Sequence, residues 1–164
     1  MRYLDTDTLL CWAPAAPSFS NGLHLRYVED DPASRSEESL RDMQVRTAKP
    51  IIEFLTTYIW PGIKLIPASD EAGILPRPQP EVTKEVISGW ISGLPAFELA
   101  ALERCVMAGK SLLVAVRLLV EWSMEFQHIR TQQQQQQQQS DDGAKVELPP
   151  RFGIEEAAEA VDLE

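Results

Sequence analysis

The segment from Leu112 to Trp122 is apolar on nearly every side of a helix. Its large apolar residues are Leu112, Leu113, Val114, Val116, Leu118, Leu119, Val120 and Trp122. A helix that is apolar all round either lies in the middle of a protein or crosses a membrane. A membrane span needs about 20 consecutive apolar residues, and Arg117 interrupts this run well before that length. The sequence therefore predicts the central helix of a bundle.

A second apolar helix comes just before it, so the two form a helical hairpin. Pro95 begins this first arm, and Gly109 stands where a helix end is expected. The second arm is expected to continue to about His128. Glu103 borders the apolar stripe of the first arm, and a helix that extends to Lys110 would place both residues on one face. Glu103 is then an ordinary surface carboxylate, a half-buried partner of a cation, or a group presented to another protein.

Two more helices are predicted upstream of the hairpin. Apolar residues recur at intervals of three or four from Leu40 to Tyr58, and Pro50 within that stretch predicts a kink or a break. The helical pattern resumes at Pro80. Residues 1–12 favour extended structure by composition. We therefore expect a mainly α fold, a helical bundle with a short extended or β N-terminal segment laid against it.

The chain divides into three parts. Residues 1–130 are predicted to form the helical domain with its N-terminal extended segment, and residues 151–164 the start of a C-terminal helix. Residues 131–150 between them are interpreted as a glutamine-rich insertion and linker. Gln132 to Gln139 are consecutive glutamines, and this run either prolongs the preceding helix or forms a disordered insert.

Composition excludes several classes of function. The 164 residues carry 25 Asp and Glu against 15 Lys and Arg, a net charge of −10. Such a surface repels phosphate backbones, so nucleic-acid binding is not expected. Cys11 and Cys105 are too few for a disulfide framework. The first residues have neither the apolar core of a secretion signal nor the Arg-rich character of a mitochondrial presequence.

No pattern in the chain predicts catalysis. The phosphate-binding, dinucleotide-binding and nucleophile motifs are absent, and neither His24 nor His128 has a partner at metal-ligand spacing. Asp5 and Asp7 would share a strand face about 6.6 Å apart, a separation that suits acid–base chemistry. We expect instead a polar face or hydrogen-bonded positions. The sequence thus predicts no enzyme, no cofactor and no metal site.

The tryptophans are Trp12, Trp60, Trp90 and Trp122. Tryptophans in a domain of this size usually belong to the core. One or two of them at the surface would be anchors for another protein.

Four short motifs, taken in order, resemble ATP synthase assembly chaperones of the ATP-twelve type. The first runs from Tyr3 to Trp12 around Thr6-Asp7-Thr8, and the second is Lys49-Pro50-Ile51-Ile52 followed by Trp60-Pro61. The third is Leu99-Ala100-Ala101-Leu102-Glu103 followed by Lys110-Ser111-Leu112-Leu113, and the fourth is Phe152 to Ala158. The resemblance covers most of residues 1–125 and again residues 151–164.

This resemblance implies a mitochondrial matrix chaperone that needs no ATP. Proteins of this type bind the unassembled alpha subunit of the F-one ATPase until the beta subunit takes its place. Glu103 matches a glutamate important for activity in the family, and Lys110 is carried over with it as a partner-binding residue. The family's N-terminal β-rich domain and presequence would precede Met1, and its acidic tail would follow Glu164. We therefore expect the C-terminal helical domain, truncated at both ends.

The function predicted from the sequence is accordingly binding of the F-one alpha subunit during assembly of the proton-transporting ATP synthase. The chain would act as a monomer, without catalysis, nucleic acid or membrane insertion. The alternative is a general helical protein-interaction module that works through its polyglutamine insert. An enzyme that uses Asp5 and Asp7 is the third possibility.

Overall fold

The structure is a computed structural model that describes residues 2–14, 39–67, 78–140 and 151–162. These residues contain seven α-helices, two 3-10 turns and one π-helical turn. The helices are α1 (Arg2–Asp5), α2 (Leu40–Phe54), α3 (Glu81–Ser92), α4 (Ala96–Gly109), α5 (Leu112–Trp122), α6 (Gln127–Ser140) and α7 (Ile154–Asp162). Two 3-10 turns cover Thr8–Leu10 and Met124–Phe126, and a π turn covers Leu55–Ile59. The mainly α fold class is confirmed. The predicted linker at residues 141–150 lies outside the described ranges.

Helix α5 is the centre of the bundle. Its buried residues are Leu112, Leu113, Val114, Ala115, Val116, Arg117, Leu119, Val120 and Glu121. It contacts α1, α2, α4, α6 and α7. The prediction of a central helix is therefore confirmed, and burial of this apolar surface is the main source of stability for the bundle.

The second arm ends earlier than predicted. Helix α5 stops at Trp122 and not near His128, because Ser123 leaves the helix with extended backbone. The Ser123 hydroxyl oxygen then accepts a hydrogen bond from the Glu125 N–H at 3.1 Å and starts a 3-10 turn. Helix α6 follows at Gln127 and includes the glutamine run, so the run is helical but does not prolong α5.

The extended N-terminal segment was predicted wrongly. Arg2–Asp5 is a helical turn and Thr8–Leu10 a 3-10 turn, which the Asp7 carboxylate caps by accepting from the Leu9 N–H at 3.1 Å. These turns bury Leu4 and the leucines of the second turn against the bundle. The packing of these leucines overrides the strand propensity of the threonines and tyrosine. The segment does lie against the bundle, as expected.

Helix α2 passes through Pro50 without a break, which corrects the expectation of a break there. Pro50 lies on the exposed side of α2, where water can satisfy the carbonyl that a proline leaves unpaired. The departure from α geometry comes later, at the π turn, where the Trp60 N–H donates to the Leu55 carbonyl at 2.8 Å. The Ser39 hydroxyl caps the start of α2.

Aromatic side chains join the end of α2 to α3 and to the turn after α5. The rings of Trp60 and Trp90 meet edge to face at 5.5 Å, and Trp90 stacks on Phe126 at 5.7 Å. Trp60 is buried. These aromatic side chains belong to the same hydrophobic core as the buried residues of α5. Among the described helices, none is both long and apolar enough to cross a membrane.

Helix α7 closes the bundle beside the end of α4. Gly109 is the last residue of α4, and a Cβ atom there would lie only 3.2 Å from Cγ1 of Val161. A larger residue at this position would therefore require the Val161 side chain to shift by a few tenths of an ångström. Gly109 was predicted to cap the C-terminal end of this helix. The C-cap is instead Lys110, whose backbone is left-handed with φ of 52°.

Candidate functional site

Glu103 lies on the solvent side of α4. Leu99 and Met107, one turn before and one turn after it, are 43% and 60% exposed. We call these three residues the α4 stripe. No hydrogen bond or ion pair involves the Glu103 carboxylate in the part of the chain that the structure describes. The stripe thus presents a carboxylate between two apolar side chains.

Lys110 does not extend this stripe. The expectation that it shares a face with Glu103 required α4 to continue to residue 110, and α4 ends at Gly109. The Lys110 N–H still donates to the Val106 carbonyl at 2.8 Å, but its backbone has turned toward α5. Lys110 stands exposed at the corner of the hairpin.

An open apolar groove of about 370 Å³ runs between the two arms of the hairpin. Phe97, Ala101 and Cys105 form its α4 wall, Leu118, Leu119 and Trp122 its α5 wall, and Ile154 at the start of α7 closes one side. We call this the α4–α5 groove. Because the arms are joined by only two residues they run antiparallel, and Phe97 therefore lies at the Trp122 end. Burial raises the pKa of Cys105 in this wall.

Large apolar side chains project at the Trp122 end of the groove. Phe97 is 83% exposed, Ile154 77%, Trp122 54% and, just beyond it, Met124 77%. Single exposed apolar residues are common, whereas a contiguous group marks a surface for another molecule. These side chains form an exposed apolar group at one end of the groove, whereas the α4 stripe lies on another side of α4.

Trp122 is held in place although it is exposed. Its indole N–H donates to the Phe152 carbonyl at 3.0 Å, and the Arg151 guanidinium lies 5.3 Å from the ring centre. Arg151 is also 3.8 Å from the Glu121 carboxylate. An exposed aromatic ring fixed in this way needs little ordering when it binds a partner. This is the surface tryptophan that the sequence analysis left open, whereas Trp60 is a core residue.

Asp5 and Asp7 do not face one another across a site. The Asp7 carboxylate accepts hydrogen bonds from the Ser111 hydroxyl at 2.6 Å and from the N–H groups of Leu112 and Leu113 at 2.8 and 3.0 Å. It is 1% exposed and occupies the positive end of α5. Asp5 accepts from the Gln79 N–H at 2.8 Å. Both carboxylates have the hydrogen-bonded positions expected for structural groups.

The two carboxylates have opposite pKa shifts. Burial raises the pKa of Asp7 to about 6, although four hydrogen bonds favour its ionised form. For Asp5, burial again acts to raise the pKa, but the Gln79 N–H and the Lys84 ammonium outweigh it and lower the pKa below 3.8. The Lys84 ammonium lies 3.1 Å from the Asp5 carboxylate.

The raised pKa of Asp7 predicts a specific pH dependence of stability. Between pH 4 and 6 the folded state holds a proton on Asp7 that the unfolded state has released, so its contribution to the free energy of unfolding falls as pH rises. From the shift between 3.8 and about 6, the expected fall is about 2 to 3 kcal/mol. Urea unfolding of the protein and of Asp7→Asn across this range measures it. Subtracting the Asp7→Asn curve removes the pH dependence that the other carboxylates contribute. A difference in the free energy of unfolding that stays constant between pH 4 and 6 would contradict the prediction.

The described residues contain no group of three His, Cys, Asp or Glu side chains that could hold a metal ion. What the hairpin offers is shape and apolar surface, with a carboxylate beside it. Sequence patterns indicated Glu103 as a candidate site residue but did not indicate the groove. The sequence signal for the groove was Leu118 and Trp122, which lie one turn apart on the exposed side of an otherwise buried helix. They lie opposite Phe97 on the other arm of the hairpin.

Fold and surface together define a mainly α-helical bundle with an open apolar groove. The chain is similar to "Protein atp12, mitochondrial" of Schizosaccharomyces pombe, with 29% identity over 119 residues. The aligned region is 73% of this chain and 34% of that protein, so the chain spans about a third of the length of the curated relative it matches. No family model and no solved structure matches the chain.

This similarity confirms the resemblance to the ATP-twelve type that the four motifs indicated. The relative's name places it in mitochondria, in agreement with the localisation predicted for this chain.

Proposed function

We propose that this protein is an ATP-independent chaperone of ATP synthase assembly in the mitochondrial matrix. Its client is the unassembled alpha subunit of the F-one ATPase. The chaperone acts as a monomer and without catalysis, and it holds the alpha subunit until the beta subunit replaces the chaperone. The observation that carries the proposal is the exposed apolar surface of the hairpin, which has Glu103 between Leu99 and Met107 on one side of α4 and the groove on another. Similarity to the fission yeast mitochondrial protein supports the same role.

The surface suits a chaperone that must also release its client. An unassembled subunit exposes apolar surface that aggregates unless it is covered. The α4 stripe can cover such surface with Leu99 and Met107, which are exposed on α4. A purely apolar contact would not discriminate among partners, whereas the Glu103 carboxylate would favour a partner that places a cation there.

Glu103→Lys is expected to weaken retention of the alpha subunit by about tenfold or more, because a like charge replaces an attractive one at the contact. Retention is measured with this chain immobilised and free alpha subunit in solution. Glu103 is exposed on α4, so far-UV circular dichroism and the melting temperature should stay within error.

Glu85→Lys on α3 is the matched control, since Glu85 is also exposed but lies on a different helix. It carries the same charge change and should leave retention unaltered. Equal effects of the two substitutions would show a general charge effect and contradict a contact at Glu103. Failure of the unsubstituted chain to retain free alpha subunit would contradict the proposed function itself.

The rival interpretation is an interaction module that works through the glutamine run. This run lies on α6, which starts with Gln127 and contacts α5. Deletion of Gln132–Gln139 separates the two proposals in the same retention assay. The chaperone proposal expects nearly full retention after deletion, whereas the rival expects retention to be lost.

A further inference from the structure

We infer that the α4–α5 groove binds an amphipathic helix of the client that carries Lys or Arg beyond one end of its apolar face. This inference rests on the proposed function, since it specifies what part of the client is held. It goes beyond the α4 stripe, because the groove lies on another side of α4 and uses residues of α5 and α7.

The size and spacing of the groove fit a helix. Phe97, Ala101 and Cys105 repeat every four residues along one wall, and Leu118 and Trp122 do so along the other. From Phe97 to Cys105 the wall is about 12 Å long at the usual rise of a helix, or about two turns. An amphipathic helix of two or three turns presents apolar side chains at the matching interval.

The charges around the groove differ between its two ends. At the Trp122 end, the Glu98 carboxylate accepts from the Ser123 hydroxyl at 3.0 Å, and the exposed Glu125 and Glu155 are within two residues of lining residues in the sequence. Arg151 at this end is already in contact with Trp122 and the Glu121 carboxylate.

The other end of the groove has a positive charge nearby, because the exposed Arg104 is next to Cys105 in the sequence. A client helix should therefore place its basic residues at the Trp122 end. A second copy of this chain is a poor occupant, because each copy has a net charge of −10. The groove thus selects for a basic flank and against self-association.

Two exposed residues test the groove with little risk to the fold. Phe97→Ala and Ile154→Ala remove side chains that are 83% and 77% exposed, so both variants should fold normally. Each should weaken retention of free alpha subunit by about tenfold, as expected for anchors at the mouth of a groove. Val82→Ala is the matched control, because Val82 is 69% exposed on α3 and lies outside the groove.

A peptide probe tests the occupant without the client. In Cys11→Ser, Cys105 is the remaining thiol and reports on the groove wall. A leucine- and alanine-faced helical peptide that ends in three lysines should slow alkylation of Cys105 by iodoacetamide. The same peptide ending in three glutamates should leave the rate unchanged.

The outcomes separate this inference from the proposed function. If the alpha subunit is retained equally by Phe97→Ala, Ile154→Ala and the unsubstituted chain, the groove is not the client site, while the chaperone role stands. If the alpha subunit is not retained at all, the proposed function fails. Slower alkylation of Cys105 with the lysine peptide alone would support binding of a helix with a basic end in the groove. Equal protection of Cys105 by both peptides would overturn that inference.

Discussion

Glu121→Ala is expected to lower the free energy of unfolding by about 3 to 5 kcal/mol, the usual result when one partner of a buried ion pair is removed. A guanidinium N–H of Arg117 donates to the Glu121 carboxylate at 2.8 Å, and both side chains are about one-tenth exposed or less. Arg117 also lies over the rings of Phe54 and Phe152, at 3.9 and 4.9 Å from their centres. The substitution leaves this cation buried without its anion. Burial already lowers the pKa of Arg117, and the Glu121 carboxylate opposes that shift.

Chemical denaturation measures the change, with Glu125→Ala as the control. Glu125 lies in the 3-10 turn after α5 and is exposed, so its loss should change stability by less than about 0.5 kcal/mol. The double variant Arg117→Met, Glu121→Leu should recover most of the loss, because it removes the buried charges together. A double variant less stable than Glu121→Ala would show that the ring contacts of Arg117, and not its charge pairing, dominate.

Asp7→Ala is expected to destabilise the protein by about 3 to 4 kcal/mol. The substitution leaves four donors without their acceptor, and an unsatisfied buried donor costs about 1 to 3 kcal/mol before water or rearrangement relieves it. Those donors are the Ser111 hydroxyl and the N–H groups of Leu9, Leu112 and Leu113. The unfolding midpoint in urea gives the change.

Asp5→Ala is the matched control for this prediction. Asp5 also bonds to a backbone N–H and to Lys84, but its side chain is 30% exposed. Partly exposed pairs contribute about 1 kcal/mol or less. If Asp5→Ala costs as much as Asp7→Ala, the capping of α5 by Asp7 is not what holds the N-terminal segment.

The sequence predicted the centre of the fold because that part depends on one helix. The apolar residues of Leu112–Trp122 cover most of the helix circumference, so a central position follows from composition. It did not predict that Arg117 and Glu121, the two charged residues of this helix, would be buried as a pair. Their burial needs the rings of Phe54 and Phe152, which come from distant parts of the chain.

The N-terminal segment and the groove show the same limit. Local propensity favoured extended structure around Asp7, but the bonds that decide its conformation go to residues 111–113. The α4 wall of the groove could be read from α4 itself, whereas Ile154 joins it only when α7 packs on α5. Solvent exposure of Glu103, by contrast, depends mainly on the pattern of its own helix.

The hydrogen bond from Leu112 to Asp7 spans 105 positions in the chain. During synthesis at about 5 to 20 residues per second, the first turn leaves the ribosome many seconds before its docking site exists. Until then its leucines have no native surface to bury them. Contacts this distant in sequence also slow folding in general. The segment around Asp7, which is made before the hairpin that holds it, is therefore among the last parts of the bundle to reach its final position.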